Sequence, residues 1–238
     1  MIEQIRKSWL RRKVEFALQR GFQRAYETVK VNPAKFLLQL QTVYGIPVTS
    51  YQGLYSVEMN VLDDLAERVI RGAMKIAAAE GAGLGLGGIM TIVPDLSFLA
   101  GITLRTIQKL SLIYGFEYSN DEETSELWIA AASAAGVDIS RDLLEKEVIN
   151  KFVPRVIQRI AAQASKEVVE KWAGRLIPLA SSVIGAGLNY YFLRAWGGGA
   201  RAHFRERHLQ LRKRMAASQV AAQAKVIELR PATTKLPA

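Results

Sequence analysis

Between Glu80 and Phe116 the chain reads EGAGLGLGGIMTIVPDLSFLAGITLRTIQKLSLIYGF, a glycine-rich stretch that passes through Pro94-Asp95 into a long apolar pattern of helical period. Its apolar residues recur too regularly for a linker, so they must be covered by other helices or by lipid. A second segment, GRLIPLASSVIGAGLNYYFLRAWGGGARAHFRER from Gly174 to Arg207, also joins small residues to an apolar run and ends in arginines. The chain therefore has to provide two helical segments with an unusually close or unusually greasy environment.

The rest of the sequence supplies helices and few strand patterns. Ile2, Ile5, Trp9, Phe16, Phe22, Tyr26 and Val29 recur at mostly helical intervals among basic residues, so residues 2–29 predict one or two amphipathic helices, with Gly21 as a candidate break. Asn32-Pro33 starts a helix to Tyr44. Val57–Glu80 reads as an amphipathic helix whose wet side carries Asp63, Asp64 and Glu67. Pro94 opens a helix to Tyr114 that Gly115 stops, with Asp95 suited to the free N–H groups of its first turn. Asn120 followed by three acids starts the next, which ends at Gly136, and Ser140 starts another pattern that continues to residue 172 with Pro154 as a candidate kink. Pro178–Arg194 is the most hydrophobic helix, Gly197-Gly198-Gly199 is expected to interrupt or bend it, and Arg201–Ile227 continues as a basic helix. The tail from Arg230 is expected to be disordered. These expectations give an all-α, single multi-helix domain with two glycine-rich apolar helices in its core. The organisation is a basic N-terminal helical region (1–50), a central helical domain (51–207), and a basic helix with a tail (208–238).

Composition excludes some classes. Apolar residues are 50% of the 238 and charged residues 23%, which excludes a disordered chain and a conventional polytopic membrane protein. With no cysteine there is no disulfide, thiol nucleophile or cysteine zinc site. The N-terminus contains no apolar run like that of a secretory signal, and a cytoplasmic protein is expected.

The chemical motifs are weak. Gly83-Leu-Gly85-Leu-Gly-Gly88 fits the glycine spacing of a dinucleotide loop, but AMKIAAAE before it is helical by propensity, where that loop needs a strand. Close backbone packing or a tight turn explains Gly83, Gly85, Gly87 and Gly88 better. His203 and His208 are five apart, out of register for two imidazoles on one metal, and read as solvated. No nucleophile motif, phosphate loop or cofactor fingerprint occurs, so no cofactor or metal is expected. An enzyme would have to use carboxylates such as Asp95 and Glu80 around an apolar pocket, and the residues favour a non-enzymatic protein over it. A membrane hairpin built on residues 81–104 and 176–193 is a third reading, although Asp95 would be expensive in lipid.

Charge is placed at the ends. Residues 1–30 hold eight Lys/Arg against three Glu, and residues 194–238 hold ten against two, while the whole chain is +10. Two basic ends around a nearly neutral middle suit an anionic surface. Candidate membrane-binding residues are Arg6, Lys7, Trp9, Arg11, Arg12 and Lys13, with Phe16 and Phe22 at the headgroup boundary, and Arg194, Arg201, Arg205 and Arg207 near the other end. No zinc-finger or RNA-recognition spacing accompanies them, so no specific nucleic acid is expected.

From Leu54 to Arg207 the chain resembles the EcsC family. The resemblance is carried by Gly83, Gly85, Gly87, Gly88, Pro94-Asp95-Leu96, Leu104-Arg105, Tyr114-Gly115-Phe116, Ile177-Pro178, Gly185-Ala-Gly187-Leu-Asn-Tyr and Ala200-Arg201-Ala-His203-Phe204-Arg205. That family comprises cytoplasmic bacterial proteins named for one encoded beside the subunits of an ABC transport system. The resemblance implies a cytoplasmic, membrane-associated protein of unassigned activity; with the basic ends of this chain, which themselves point to peripheral attachment, the expected partners are an anionic membrane surface and a membrane protein complex.

Overall fold

The computed structural model describes residues 2–84, 92–118, 120–139, 149–172 and 181–228. Its helices are α1 (Ile2–Thr28), α2 (Pro33–Thr42), α3 (Met59–Leu84), α4 (Ile92–Ile113), α5 (Asp121–Ala134), α6 (Ile149–Trp172) and α7 (Ser181–Glu228), with a 3₁₀ turn at Tyr51–Ser56 and no strand among the described residues. The fold is all-α, as the helical period requires.

Local chemistry sets several boundaries. Asn32 caps α2 by accepting from the Lys35 amide at 3.0 Å, with Pro33 just inside. Asn120 caps α5 through the Glu123 amide at 2.9 Å, and Asp121, Glu122 and Glu123 follow in its positive first turn. Helix α4 ends in a Schellman turn: the Phe116 amide donates to Ser111 and the Gly115 amide to Leu112, with Gly115 at φ +84°.

Helix α4 lies at the centre. Leu96, Leu99, Leu104, Ile107, Leu110 and Ile113 are buried, and α1, α3, α5 and α7 all pack on it. Among the described residues its Leu96–Ile113 stretch is the one window long and apolar enough to cross a membrane, and 67% of it is buried inside the protein. Gln108, also buried, donates to the Val29 carbonyl at 2.9 Å and accepts from the Val31 amide at 3.0 Å, so it ties the end of α1 to the core without an unpaired amide. Leu10, Val14, Leu18 and Phe22 bring α1 into the same buried cluster as Leu62 and Phe204.

None of three candidate break points ends its helix. α1 is continuous through Gly21, α6 through Pro154, and α7 is a single helix of 48 residues through Gly197-Gly198-Gly199. The glycines serve proximity instead. A Cβ on Gly199 would lie 2.7 Å from Ala134 Cα, and one on Gly21 would lie 2.8 Å from Ser97 Cα, distances a side chain cannot occupy. Missing side chains thus let α7 touch α5 and α1 touch α4. Of the helical pattern expected from Ser140 to residue 172, residues 149–172 form α6, while residues 140–148, like the tail from Arg230, lie outside the described residues.

Candidate functional site

Asp63 and Glu67 are one helical turn apart on α3 and share a face. On α7, Arg194, Arg201, Arg205, His208 and Arg212 follow at intervals of seven, four, three and four, which also make one stripe. The two helices run antiparallel with these faces together: Asp63 meets Arg205, Glu67 meets Arg201, Ile70 lies against Gly197, and the Asn189 amide donates to the Ala77 carbonyl at 3.2 Å.

The contacts form one ladder. Arg205 Nε donates to both Asp63 oxygens, at 3.2 and 2.9 Å. Arg201 donates to Glu67 at 3.2 Å and stands 3.6 Å from Asp63. Arg194 reaches the other Glu67 oxygen at 2.5 Å. The Asp63 and Glu67 side chains are only 17% and 23% exposed and Arg201 30%, so the Arg201 pairs are less screened than open surface bridges, which contribute about 0–1 kcal/mol, while the Arg194 end of the ladder is open to solvent.

The ladder continues inward through Tyr114. Its hydroxyl donates to Asp63 Oδ1 at 2.7 Å, and its main-chain carbonyl accepts from His208 Nδ1 at 2.9 Å. The His208 ring stacks on Tyr55 at 4.7 Å, and the Tyr55 hydroxyl donates to the Gly115 carbonyl at 3.4 Å. Phe116 packs against Phe204 at 5.8 Å. The Tyr114-Gly115-Phe116 motif and the arginine-rich motif of α7 therefore meet at one junction. Burial raises the Asp63 carboxyl, but hydrogen bonds from Arg205 and Tyr114 and the nearby guanidinium charges outweigh it and leave the group below its ordinary value. Burial, and next the Asp63 hydrogen bond, push the Tyr114 phenol far above its ordinary range. Burial lowers His208 despite the Tyr114 carbonyl, and the Arg212 charge adds to the lowering. With Nδ1 donating to that carbonyl, Nε2 carries the lone pair and is buried without a hydrogen-bond partner. A neutral imidazole, a neutral phenol and matched ion pairs lock the end of α4 to α3 and α7.

A second junction joins α5 to α7, where Glu126 sits 3.3 Å from His203 and 2.9 Å from Arg207, the latter off the hydrogen-bonding axis. Among the described residues no group of three His, Asp or Glu side chains could hold a metal.

The sequence-predicted residues distribute as follows. Arg194, Arg201, Arg205 and Arg207 each face a carboxylate. On α1, Leu10, Val14, Leu18 and Phe22 face inward, and Trp9, Arg12, Lys13, Phe16 and Arg20 outward. Phe22 is thus a core residue. Arg11 turns toward the inward side and buries its Nε, and Lys7 is exposed. Gly83 lies in the last turn of α3, Pro94 and Asp95 in the first turn of α4, Arg105 on the outer side of α4, and Gly185 and Gly187 in α7. The side chains of Arg6, Glu80 and Asp95 lie outside the described set, as do Gly85, Gly87, Gly88 and Pro178 altogether. The sequence reading missed the roles of Asp63, Glu67, Tyr55 and His208. The signal that could have found them is the match between the acid spacing on one helix and the arginine spacing on another. His208 is buried, not solvated as its spacing suggested, because Tyr55 and the α4 terminus cover it.

No solved structure matches this chain. Protein EcsC of Bacillus subtilis (strain 168) is 26% identical over 192 residues, covering 79% of this chain and 80% of that protein. The uncharacterized protein YdbA of the same organism is 25% identical over 154 residues, covering 59% of this chain and 55% of that protein. Residues 7–209 match the EcsC protein family as a whole. That span takes in α1, the central helix and both arginine–carboxylate junctions, so on sequence and on the convergence of its motifs this chain belongs to the EcsC protein family.

Proposed function

We propose that the protein is a non-enzymatic, peripheral component of the cytoplasmic membrane surface, attached to anionic lipid through the outer face of α1 and acting beside a membrane protein complex. One observation carries this reading. Trp9, Lys13, Phe16 and Arg20 form a stripe along α1 in which Lys13 lies 5.8 Å from the Trp9 ring and Arg20 5.0 Å from the Phe16 ring. Trp9 is 43% exposed and Phe16 52%, although each has the apolar area that normally goes inside. An amphipathic indole and an apolar phenyl ring interleaved with cations suit the headgroup layer, where the rings enter the boundary and the cations meet phosphate. Arg12 adds a third exposed cation nearby. Each cation near an anionic surface contributes about 1 kcal/mol, reduced by salt.

Flotation with vesicles of phosphatidylglycerol and phosphatidylcholine tests the reading. Binding should require the anionic lipid, fall with added salt, and be lost in W9A/F16A. Equal binding to neutral vesicles, or an unchanged W9A/F16A variant, would refute attachment through α1.

A further inference from the structure

A groove of about 530 Å³ runs between α3 and α4, with Val29 and Tyr44 also in its lining. Its volume is within the range of small-ligand sites, about 300–1,000 Å³. Its walls are mostly apolar, with Val69, Ile76, Phe98 and Ile102 among them. Three cations, Arg68, Arg105 and Lys109, also line it, and no carboxylate does. None of the three has an acid partner among the described residues, in contrast to the arginines of α7, which are matched to Asp63, Glu67 and Glu126. Arg68 and Arg105 are exposed and Lys109 is half-buried, so three like charges stand beside apolar walls and an anion among them would offset their mutual repulsion.

We propose that this groove binds a single-chain anionic amphiphile, with the acyl chain along the apolar walls and the carboxylate or phosphate head held by Arg68, Arg105 and Lys109. The pairing of features sets the ligand class. Apolar walls alone would take any hydrophobe, and three cations alone would take any anion, but a chain ending in an anion satisfies both. Lys109 is half-buried, and burial first and the Arg105 charge second lower its ammonium, a strain that an anion would relieve. The groove is also kept open at Gly72, where an added Cβ would meet no atom within 4 Å. Arg105, singled out in the sequence by its motif and absent from both ion-pair junctions, gains a role at this site. The site uses α3 and α4, not the α1 stripe, so it stands or falls apart from membrane attachment.

The test is calorimetric titration of the full chain with oleate and with lysophosphatidate, each below its micelle concentration, beside oleyl alcohol and inorganic phosphate. Both amphiphiles, or one of them, should bind one per chain, and the alcohol and the phosphate at least about tenfold more weakly. R105E/K109E should weaken binding by about tenfold or more through lost head contacts. G72L should block the groove while keeping its thermal transition, because leucine favours helix over glycine and the space is empty. Oleyl alcohol binding as tightly as oleate, phosphate binding as tightly as either amphiphile, no binding by either amphiphile, or unchanged binding in both variants would overturn the assignment. Vesicle flotation of G72L gives the separate control, since its α1 stripe is intact.

Discussion

The His208 imidazole donates through Nδ1 to the main-chain carbonyl of Tyr114 at 2.9 Å, across 94 residues of sequence, while the Tyr114 hydroxyl donates to Asp63. One tyrosine thus links the fold's central helix to both flanking helices, through main chain on one side and side chain on the other.

The first consequence is a pH dependence. His208 is held below its ordinary value near 6.5, so the unfolded chain takes up a proton more readily than the folded one as the solution is acidified. The stability contributed is fully present above about pH 6.5 and is lost as pH falls from there toward the folded-state value. Asp63, also depressed, adds a loss at lower pH, as pH falls below the unfolded carboxyl value and through the folded one. Urea denaturation from pH 8 to 5 should show falling stability for the wild type, and H208N should be weaker at pH 8 but flatter across that range. An equal slope in both proteins would show that His208 does not set it.

The second concerns Asp63. Y114F removes one of its donors and should cost about 1–2 kcal/mol, since two guanidinium groups remain. D63A leaves Arg205, Arg201 and the Tyr114 hydroxyl without their shared acceptor and should cost more, about 2–3 kcal/mol, less than a fully buried pair because both arginines keep part of their hydration. The double variant should cost less than the sum, with a coupling of about 0.5–3 kcal/mol. Additive losses by denaturant titration would mean that Tyr114 and Asp63 are not coupled.

The third separates neighbouring glycines. G199L would place a Cβ 2.7 Å from Ala134 Cα and should destabilise by about 1–3 kcal/mol or more, because backbone has to move. G198A meets nothing within 4 Å and should be neutral or stabilising, by up to about 1 kcal/mol from helix propensity. Equal thermal shifts in the two variants would remove the close-contact explanation for the uninterrupted α7.

How far the sequence could be read follows from the same residues. Asn32-Pro33, Asn120 with its acids, Gly115 and Gly136 act on backbone within a turn of themselves, so their helix boundaries were legible. Gly21 and Gly199 have the same local character as a breaker, and what decides their role is Ser97 and Ala134 on other helices. Asp63 and Glu67 looked like an ordinary wet face because their arginine partners on α7 lie more than a hundred residues away. Phe22 was placed with Trp9 and Phe16 by composition, and separated from them only by the packing of α1, which stacks it on Trp196 at 5.4 Å.

The last prediction divides the basic residues of α7 into two kinds. Arg205 shares its Nε–H between both oxygens of a largely buried Asp63, whereas Lys213 and Arg214, two turns further on, are exposed. R205E would set two carboxylates against each other at the junction and should cost about 1–3 kcal/mol, less than a fully buried pair because the Arg205 side chain is 44% exposed and solvent screens it. K213E/R214E should change stability by no more than about 0.5 kcal/mol, as surface substitutions do. If the distal part of α7 assists attachment, K213E/R214E will instead lower vesicle binding at constant stability, an effect that added salt masks because both charges are screened. The two variants therefore read different quantities from one helix, fold stability at Arg205 and surface attraction at Lys213 and Arg214. A large thermal shift in K213E/R214E, or none in R205E, would show that the division is misplaced.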